Sequence, residues 1–479
     1  MKGFFKKWNK KKKNKLFLAS LLSMFLFSLI TIITLSSYNF FSNLTKVHLS
    51  LKEQRETPEL QIALSQLLTN GINLVDSNWP SELMLSDKKL AVEYTIDQDL
   101  ENHIKKILKQ YKTDYASVVV LNTNNGDILA AIDYNGKDET YSKKITFYST
   151  SPAASIFKVI TAADIIEHNK EINSEATFSY SGRPTTLYKY QIENLNPKND
   201  KPLRFRDAFA KSNNVVFARA ALKYSAPSQL FQTAENFGFN KNIFELINLG
   251  SSYFPLANGT YNLAELASGL NTMTLISPLH AAKIAMTIAN DGVMKSLKLV
   301  RSLKLINPNS NQNDINNSEK TTNAFLIDQH NAHAYQNSST YLYYPFQSFT
   351  EKQVIHESTA KELKLMMQST INKGGTGQYI GKKLKKSLLE KLEIGGKSGQ
   401  MTGGIPLGKR DWFIAYAKPF TPDKSIDNID TDHNSQTTIT TNDKSDKGIS
   451  IAVMLINQEK WYTRSVAITK EVIDYYFNK

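Results

Sequence analysis

The 479-residue chain has no cysteine, which excludes disulfides and thiolate-held metal sites. Freedom from cysteine is compatible with an oxidising compartment. There is no internal repeat and no arginine-rich stripe with interleaved aromatics, so nucleic-acid binding is not supported despite a net charge of +14. More than half of that charge lies in the first 15 residues, MKGFFKKWNKKKKNK, with eight lysines and no acid; the other 464 residues carry +6. Hydrophobic residues make up 41% of the chain, enough for one large domain or two ordinary ones with a sizeable core.

One long apolar run is present. Leu16 to Ser36 is 21 residues without a charge, long enough to cross a bilayer. A cleaved signal peptide would have a shorter apolar core and a small-x-small cleavage site, and neither is evident. The expected organisation is a cytoplasmic lysine-rich tail over 1–15, a transmembrane anchor over 16–36, a juxtamembrane stalk over 37–91 and a domain over 92–479. The lysine excess ahead of the span places the domain outside the cytoplasm.

Within the domain, TIDQDLENHIKKILKQY predicts a helix with Leu100, Ile104, Ile107, Leu108 and Tyr111 on one face. ASVVVLNTNNGDILAAIDY predicts a hairpin turning at Asn124-Asn125-Gly126. A mainly helical block over 152–300 contains LHAAKIAMTIANDGV, capped by Ser277-Pro278. Residues 307–340 read as a polar surface insertion. HESTAKELKLMMQSTINKGGTG predicts an amphipathic helix with a glycine exit. Three strand-like runs follow, around LEIGGKSG, DWFIAYAKP and ISIAVMLIN, with a polar stretch from Asp423 to Gly448 between the last two, and SVAITKEVIDYYF closes the chain. The expected fold is α+β: an antiparallel sheet built from both ends of the sequence and flanked by helices, plus an all-helical subdomain.

The chemistry centres on SPAASIFKVITAADII, from Ser151. Ser151 is expected to cap a helix with Pro152 in its first position and Ile156, Val159, Ile160 and Ala163 as its apolar stripe. Lys158 then stands three residues after Ser155, on the same side of the helix. A serine hydroxyl is a poor nucleophile unless a base takes its proton, and a lysine can be that base once desolvation or a second cation makes it neutral. The spacing alone is common: Ser86-x-x-Lys89 and Ser358-x-x-Lys361 match it as ordinary helix pairs. Ser212-x-Asn214 alone reads as a helix cap, and Lys397-Ser398-Gly399 as a turn with a surface lysine. Their order, S-x-x-K, S-x-N, K-S-G, each on its expected element, is more specific.

With these motifs, the segment from Val92 to Lys479 resembles the transpeptidase domain of bacterial penicillin-binding proteins. TIDQDLE, VVVLNTNNGDILAA, SPLHAAKIAMTIANDGV, GGTG at 374–377 and DWFIAYA at 411–417 are similar to further segments of that family. The resemblance implies that Ser155 is the acylated nucleophile and Lys158 its general base. It implies that Ser212 passes protons to and from the leaving amine, with Asn214 bonding the substrate amide and Lys158. Lys397 would keep the site positive, Ser398 would bond the substrate carboxylate, and the amides of Ser155 and Gln400 would form the oxyanion hole. Gly399 would leave room for substrate along the strand edge. The family commonly has Thr or Ser where this chain has Gln400; Thr402, on a strand bulged at Met401, or the Gln400 amide itself would then take over carboxylate recognition.

The resemblance further implies peptidoglycan D,D-transpeptidation at the outer face of the bacterial cytoplasmic membrane, on stem peptides, with β-lactams as acylating ligands. No metal or cofactor is implied. A glycosyltransferase module is not expected in residues 37–91, so a separate membrane glycosyltransferase is the implied partner. Three other readings share the acylation step: a D,D-carboxypeptidase or β-lactamase-type hydrolase, a β-lactam sensor, and a penicillin-binding scaffold with little turnover.

Overall fold

Asp97 accepts a hydrogen bond from the Leu100 amide at 3.0 Å and opens α1 (Gln98–Tyr111). Leu100, Ile104 and Leu108 are fully buried and Ile107 nearly so, the stripe that helical spacing predicts. The structure, a computed structural model, describes residues 78–85, 88–193, 200–244, 251–305, 351–420, 448–458 and 461–479. The expected tail 1–15, anchor 16–36, stalk up to residue 77, insertion 307–340 and polar segment 423–447 lie outside the described residues. Among the described residues no helix is long and apolar enough to cross a membrane.

After α1 come β1 (Tyr115–Asn122) and β2 (Ile128–Asn135), antiparallel as expected. At their turn Asn122 Oδ1 accepts from the Asn124 amide at 2.9 Å, and Gly126 takes a left-handed φ of +77°. The short β3 (Thr140–Ser142) pairs with β2. The helical block follows, with α2 (Lys158–His168), α3 (Asn214–Tyr224), α4 (Thr260–Ser268) and α5 (Pro278–Ala289); Ser277 caps α5 by accepting from His280 N. Then come α6 (Glu357–Ile371), β4 (Leu392–Gly403), β5 (Gly408–Pro419), β6 (Ile449–Asn457) and α7 (Ser465–Asn478).

The main sheet has the order β4-β5-β6-β1-β2-β3, every neighbouring pair antiparallel. The two ends of the sequence meet at β6–β1, where Ile449 lies opposite Asn122 and Ile456 opposite Tyr115. One face packs on α1 and α7, joining Leu100, Ile104, Ile468 and Val472 to Val118, Val120, Phe413 and Val453 in one core. α5 packs on β1, β5 and β6. β6 is therefore covered on both faces, which is why ISIAVMLIN reads as an almost unbroken apolar run. Each fully buried Ile, Leu or Val contributes roughly 1.5–3 kcal/mol relative to exposure.

A separate sheet joins Glu82–Leu85, Lys88–Tyr94 and Val300–Leu305. The expected boundary between stalk and domain at Val92 falls inside its middle strand. For function, the main sheet matters most through β4. It is one of the sheet's two edge strands, and the segment carrying Ser155 packs against it.

Candidate active site

Ser155 sits in a tight turn before α2. The expected cap at Ser151 with Pro152 as first helical residue is not formed. Ser151–Pro152 is instead a two-residue strand paired with Leu275–Ile276, Ala154–Phe157 form a 3-10 turn, and α2 begins at Lys158. Tertiary bonds explain the difference. Arg410 Nε donates to Ser151 Oγ at 3.2 Å, and Trp412 Nε1 donates to the Pro152 carbonyl at 3.0 Å. Ala154 takes φ +51°, which a helix through it would not allow. The stripe Ile156, Val159, Ile160 and Ala163 is buried as expected.

The turn is backed by Gly269, the residue that ends α4. Gly269 has φ +67°, and a Cβ there would lie 2.2 Å from the Ala154 carbonyl oxygen. On the other side, a Cβ on Gly399 would lie 3.2 Å from the Ser155 nitrogen and 3.1 Å from the Ile156 nitrogen. Ser155 is thus held between a helix end and a strand, each closing on it through a glycine.

Lys158 is completely buried, and its amine has three polar partners. Nζ lies 2.8 Å from Ser155 Oγ and 2.8 Å from Asn214 Oδ1, and donates to the Ser268 carbonyl. The Asn214 amide cannot be turned round, because its Nδ2 donates to the Thr185 carbonyl at 2.8 Å. Ser268 O is one of the carbonyls that a helix C-terminus leaves unpaired. Two of the three partners are therefore acceptors only, and Ser155 is the one that can also donate. A neutral amine in this position spends its two N–H groups on Asn214 and Ser268 and presents its lone pair to the Ser155 hydroxyl. Burial, and then the charge of Lys397, hold Lys158 well below the usual lysine range.

Lys397 is also completely buried. Its Nζ donates to Ser212 Oγ at 3.0 Å and to the Ser398 carbonyl at 2.8 Å, and burial pushes it down to about 7. Ser212 adopts φ +57° just before α3. Asn213 caps that helix by accepting from Val216 N, which leaves Ser212 and Asn214 to face the two lysines. The three motifs meet as two sets of contacts, Ser155–Lys158–Asn214 and Ser212–Lys397, close enough for the charge of Lys397 to act on Lys158.

Ser398 Oγ donates to Thr376 Oγ1 at 2.7 Å, and Thr376 in turn donates to the Ala210 carbonyl through both its amide and its hydroxyl. Thr376 was not among the expected site residues, although GGTG at 374–377 carries it. The Ser268 carbonyl and Gly269 were missed too; neither has a sequence signal, since one is a backbone atom and the other a helix end distant in sequence.

The Gln400 side chain, the alternative expected for carboxylate recognition, is engaged elsewhere. Its Nε2 donates to Asp411 Oδ1 on β5 at 2.9 Å. The expected bulge at Met401 is absent, because β4 and β5 pair without a break from Leu392 opposite Pro419 to Gly403 opposite Gly408. Thr402 stays exposed opposite Lys409, four residues or ~13 Å along the strand from Ser398. It is not brought to Ser155. Among the described residues no cluster of His, Cys, Asp and Glu could hold a metal ion.

The model of the penicillin binding protein transpeptidase domain matches residues 116–437. The chain belongs to the penicillin-binding protein transpeptidase family. Three solved structures share the fold. PBPA from Mycobacterium tuberculosis is 17% identical, with 81% of this chain and 80% of that one covered and a TM-score of 0.53. The D,D-transpeptidase domain of a peptidoglycan glycosyltransferase from Eggerthella lenta is 19% identical, with 80% and 81% covered and a TM-score of 0.54. Penicillin-binding protein 3 from M. tuberculosis, solved with aztreonam, is 15% identical, with 81% and 79% covered and a TM-score of 0.57. At these identities the likeness is one of fold. No curated protein matches the chain in sequence. Family membership makes this penicillin-binding protein a serine acyltransferase or hydrolase.

Proposed function

We propose that this penicillin-binding protein is a peptidoglycan D,D-transpeptidase acting through an acyl-enzyme on Ser155. The observation that carries the reading is the Lys158 amine, buried, 2.8 Å from Ser155 Oγ and otherwise engaged only by fixed acceptors. Ser155 Oγ attacks the penultimate D-Ala carbonyl of a stem peptide while its proton passes to Lys158 Nζ. The amides of Ser155 and Gln400 receive the oxyanion. Collapse breaks the carbonyl–nitrogen bond, and the departing D-Ala amine takes a proton relayed from Lys158 through Ser212. An amine of a neighbouring stem then attacks the ester, gives up its proton along the same relay, and Ser155 recovers its hydroxyl. Lys397, Ser398 and Thr376 form the cationic, hydroxyl-lined end of the site that suits the stem's terminal carboxylate. In this reading residues 16–36 tether the domain to the outer face of the bacterial cytoplasmic membrane, a membrane glycosyltransferase supplies the glycan, and β-lactams acylate the same serine.

The test is mass spectrometry of the full chain with a labelled penicillin, then with a synthetic stem pentapeptide and an acceptor amine. The expected result is label on the peptide containing Ser155 and a crosslinked product. Free tetrapeptide without crosslinks identifies a carboxypeptidase instead. Label on another serine, or undiminished labelling of Ser155→Ala, overturns the acyl-enzyme assignment.

A further inference from the structure

The Asn214 side chain turns its oxygen to Lys158 because the Thr185 carbonyl holds its nitrogen. The segment that supplies this carbonyl, Ser181 to Tyr188, belongs to no helix or strand, and Thr185 itself is exposed. Its shape is set by one side chain. Gln191, in a helical turn over Lys189–Glu193, is completely buried. Its Nε2 donates to the Ser181 carbonyl at 2.9 Å and to the Arg183 carbonyl at 3.2 Å, and its Oε1 accepts from the Tyr188 amide at 2.8 Å. Both N–H groups and the oxygen are spent on the backbone of this one loop, which closes around them. Two carbonyls and one N–H as partners also fix which way the glutamine amide points. Gly182 crosses so near that a Cβ on it would lie 2.9 Å from Gln191 Nε2.

The loop is fastened to α3 at two places. Arg219 Nε donates to the Gln191 carbonyl at 2.6 Å, and Arg219 is itself paired with Asp200 at 2.6 Å. At the start of the helix the Asn214 amide nitrogen donates to the Pro184 carbonyl at 2.7 Å, and Asn214 Nδ2 donates to the Thr185 carbonyl at 2.8 Å. The loop is thus a brace, with Gln191 at one end and the Asn214 side chain at the other. An asparagine amide whose nitrogen is released can turn about its last bond and exchange oxygen for nitrogen. A donor would then face the Lys158 amine. Neutral Lys158 would give its lone pair to that N–H in place of the Ser155 hydroxyl, and protonated Lys158 would lose an acceptor.

We propose that Gln191 is a positioning residue for acylation of Ser155: through the loop it closes, it keeps Asn214 Oδ1 turned to Lys158. The inference rests on the acyl-enzyme reading of Ser155. Gln191 does not touch the reacting atoms. It acts through Thr185 and Asn214, and its effect therefore vanishes when the Asn214 amide is absent.

The experiment measures the rate of penicillin acylation of Ser155 in the full chain as a function of pH. Gln191→Met keeps the bulk of the side chain and removes its three bonds. Gly182→Ala crowds Gln191 Nε2 from the exposed side of the loop. Each is made alone and in an Asn214→Ala background, where slow labelling is followed over hours. Ser155, Asn214, the Ser268 carbonyl and the Phe217 ring face Lys158, and the charge acting on it is that of Lys397. Lys397 is present in every variant, so a shift in the pH profile reports the Asn214 contact. Acylation about tenfold slower in Gln191→Met and several-fold slower in Gly182→Ala is expected, with the rising limb of the profile moved to lower pH. In the Asn214→Ala background the same substitutions should change the rate less than twofold. A loss by the same factor with and without Asn214, or a slower rate with the limb unmoved, identifies a merely structural residue and overturns the proposal. So does acylation by Gln191→Met within twofold of wild type. Should Gln191→Met not fold, Gly182→Ala decides by the same criteria; should Asn214→Ala take no label, the position of the limb decides. Absence of label on Ser155 in the wild type overturns the acyl-enzyme reading and this inference with it, whereas the other adverse results overturn the inference alone.

Discussion

Gln400 Nε2 donates to Asp411 Oδ1 across the β4–β5 pair at 2.9 Å, and Asp411 is held from its other side by the Ser465 amide at 2.8 Å. The side chain that follows Lys397-Ser398-Gly399 is therefore tied to the start of α7 and not offered to a ligand. Gln400→Ala should leave unchanged the ratio of acylation rates for a penicillin and for its carboxylate ester. Gln400→Thr places a free hydroxyl where the amide was drawn away, and should raise that ratio by about one charged hydrogen bond, ~1.5–3 kcal/mol at most. An unchanged ratio in Gln400→Thr would show that this position does not face the carboxylate.

Lys158 should not be replaceable by arginine. Guanidinium stays protonated in proteins, so it can keep the charge and even the contact to Ser268 O but cannot accept the Ser155 proton. A loss of at least ~10²-fold in the penicillin acylation rate is expected, the scale of a general base. Near-normal acylation by Lys158→Arg, measured by stopped-flow or quench, contradicts the mechanism.

Lys397 links stability to pH. Its folded pKa is depressed to about 7 from an ordinary 10.5, so between those values the unfolded chain binds a proton that the folded chain does not. Stability then rises with pH through that window, by up to ~1.4 kcal/mol per unit, and is flat with respect to this group below it. Urea unfolding of wild type and Lys397→Met at pH 6, 8 and 10 is the measurement. The wild type should gain on the variant from pH 8 to 10; a constant difference would mean that Lys397 stays protonated in the fold.

Gly269→Ala should damage both fold and site. Its φ of +67° disfavours a side chain, and the new Cβ would meet the Ala154 carbonyl at 2.2 Å. A loss of ~2 kcal/mol or more is expected, with slower acylation because the turn carrying Ser155 must move. Thermal melts and labelling kinetics should fall together. Ser268→Ala, which keeps the carbonyl that Lys158 uses, should change acylation by less than about tenfold.

Local pattern was enough for much of this protein. The stripe of α1, the turn at Asn124-Asn125-Gly126, the Ser277 cap and the long apolar run of β6 each follow from periodicity or backbone chemistry within a few residues. The order of the three motifs likewise pointed to Ser155, Lys158, Ser212, Asn214 and Lys397, which the fold brings together as Ser155–Lys158–Asn214 and Ser212–Lys397. What local pattern could not decide depends on partners far away in the chain. Ser151–Pro152 has the composition of a helix start, yet Arg410 and Trp412, more than 250 residues later, hold it as a strand. The direction of Gln400 depends on Asp411 across the sheet. The protonation of Lys158 depends on its burial beside Lys397 and on a carbonyl at the end of α4. Desolvation and long-range hydrogen bonding are properties of the packed chain, so spacing in the sequence could single out the candidate residues but only the tertiary structure could set their charge and aim.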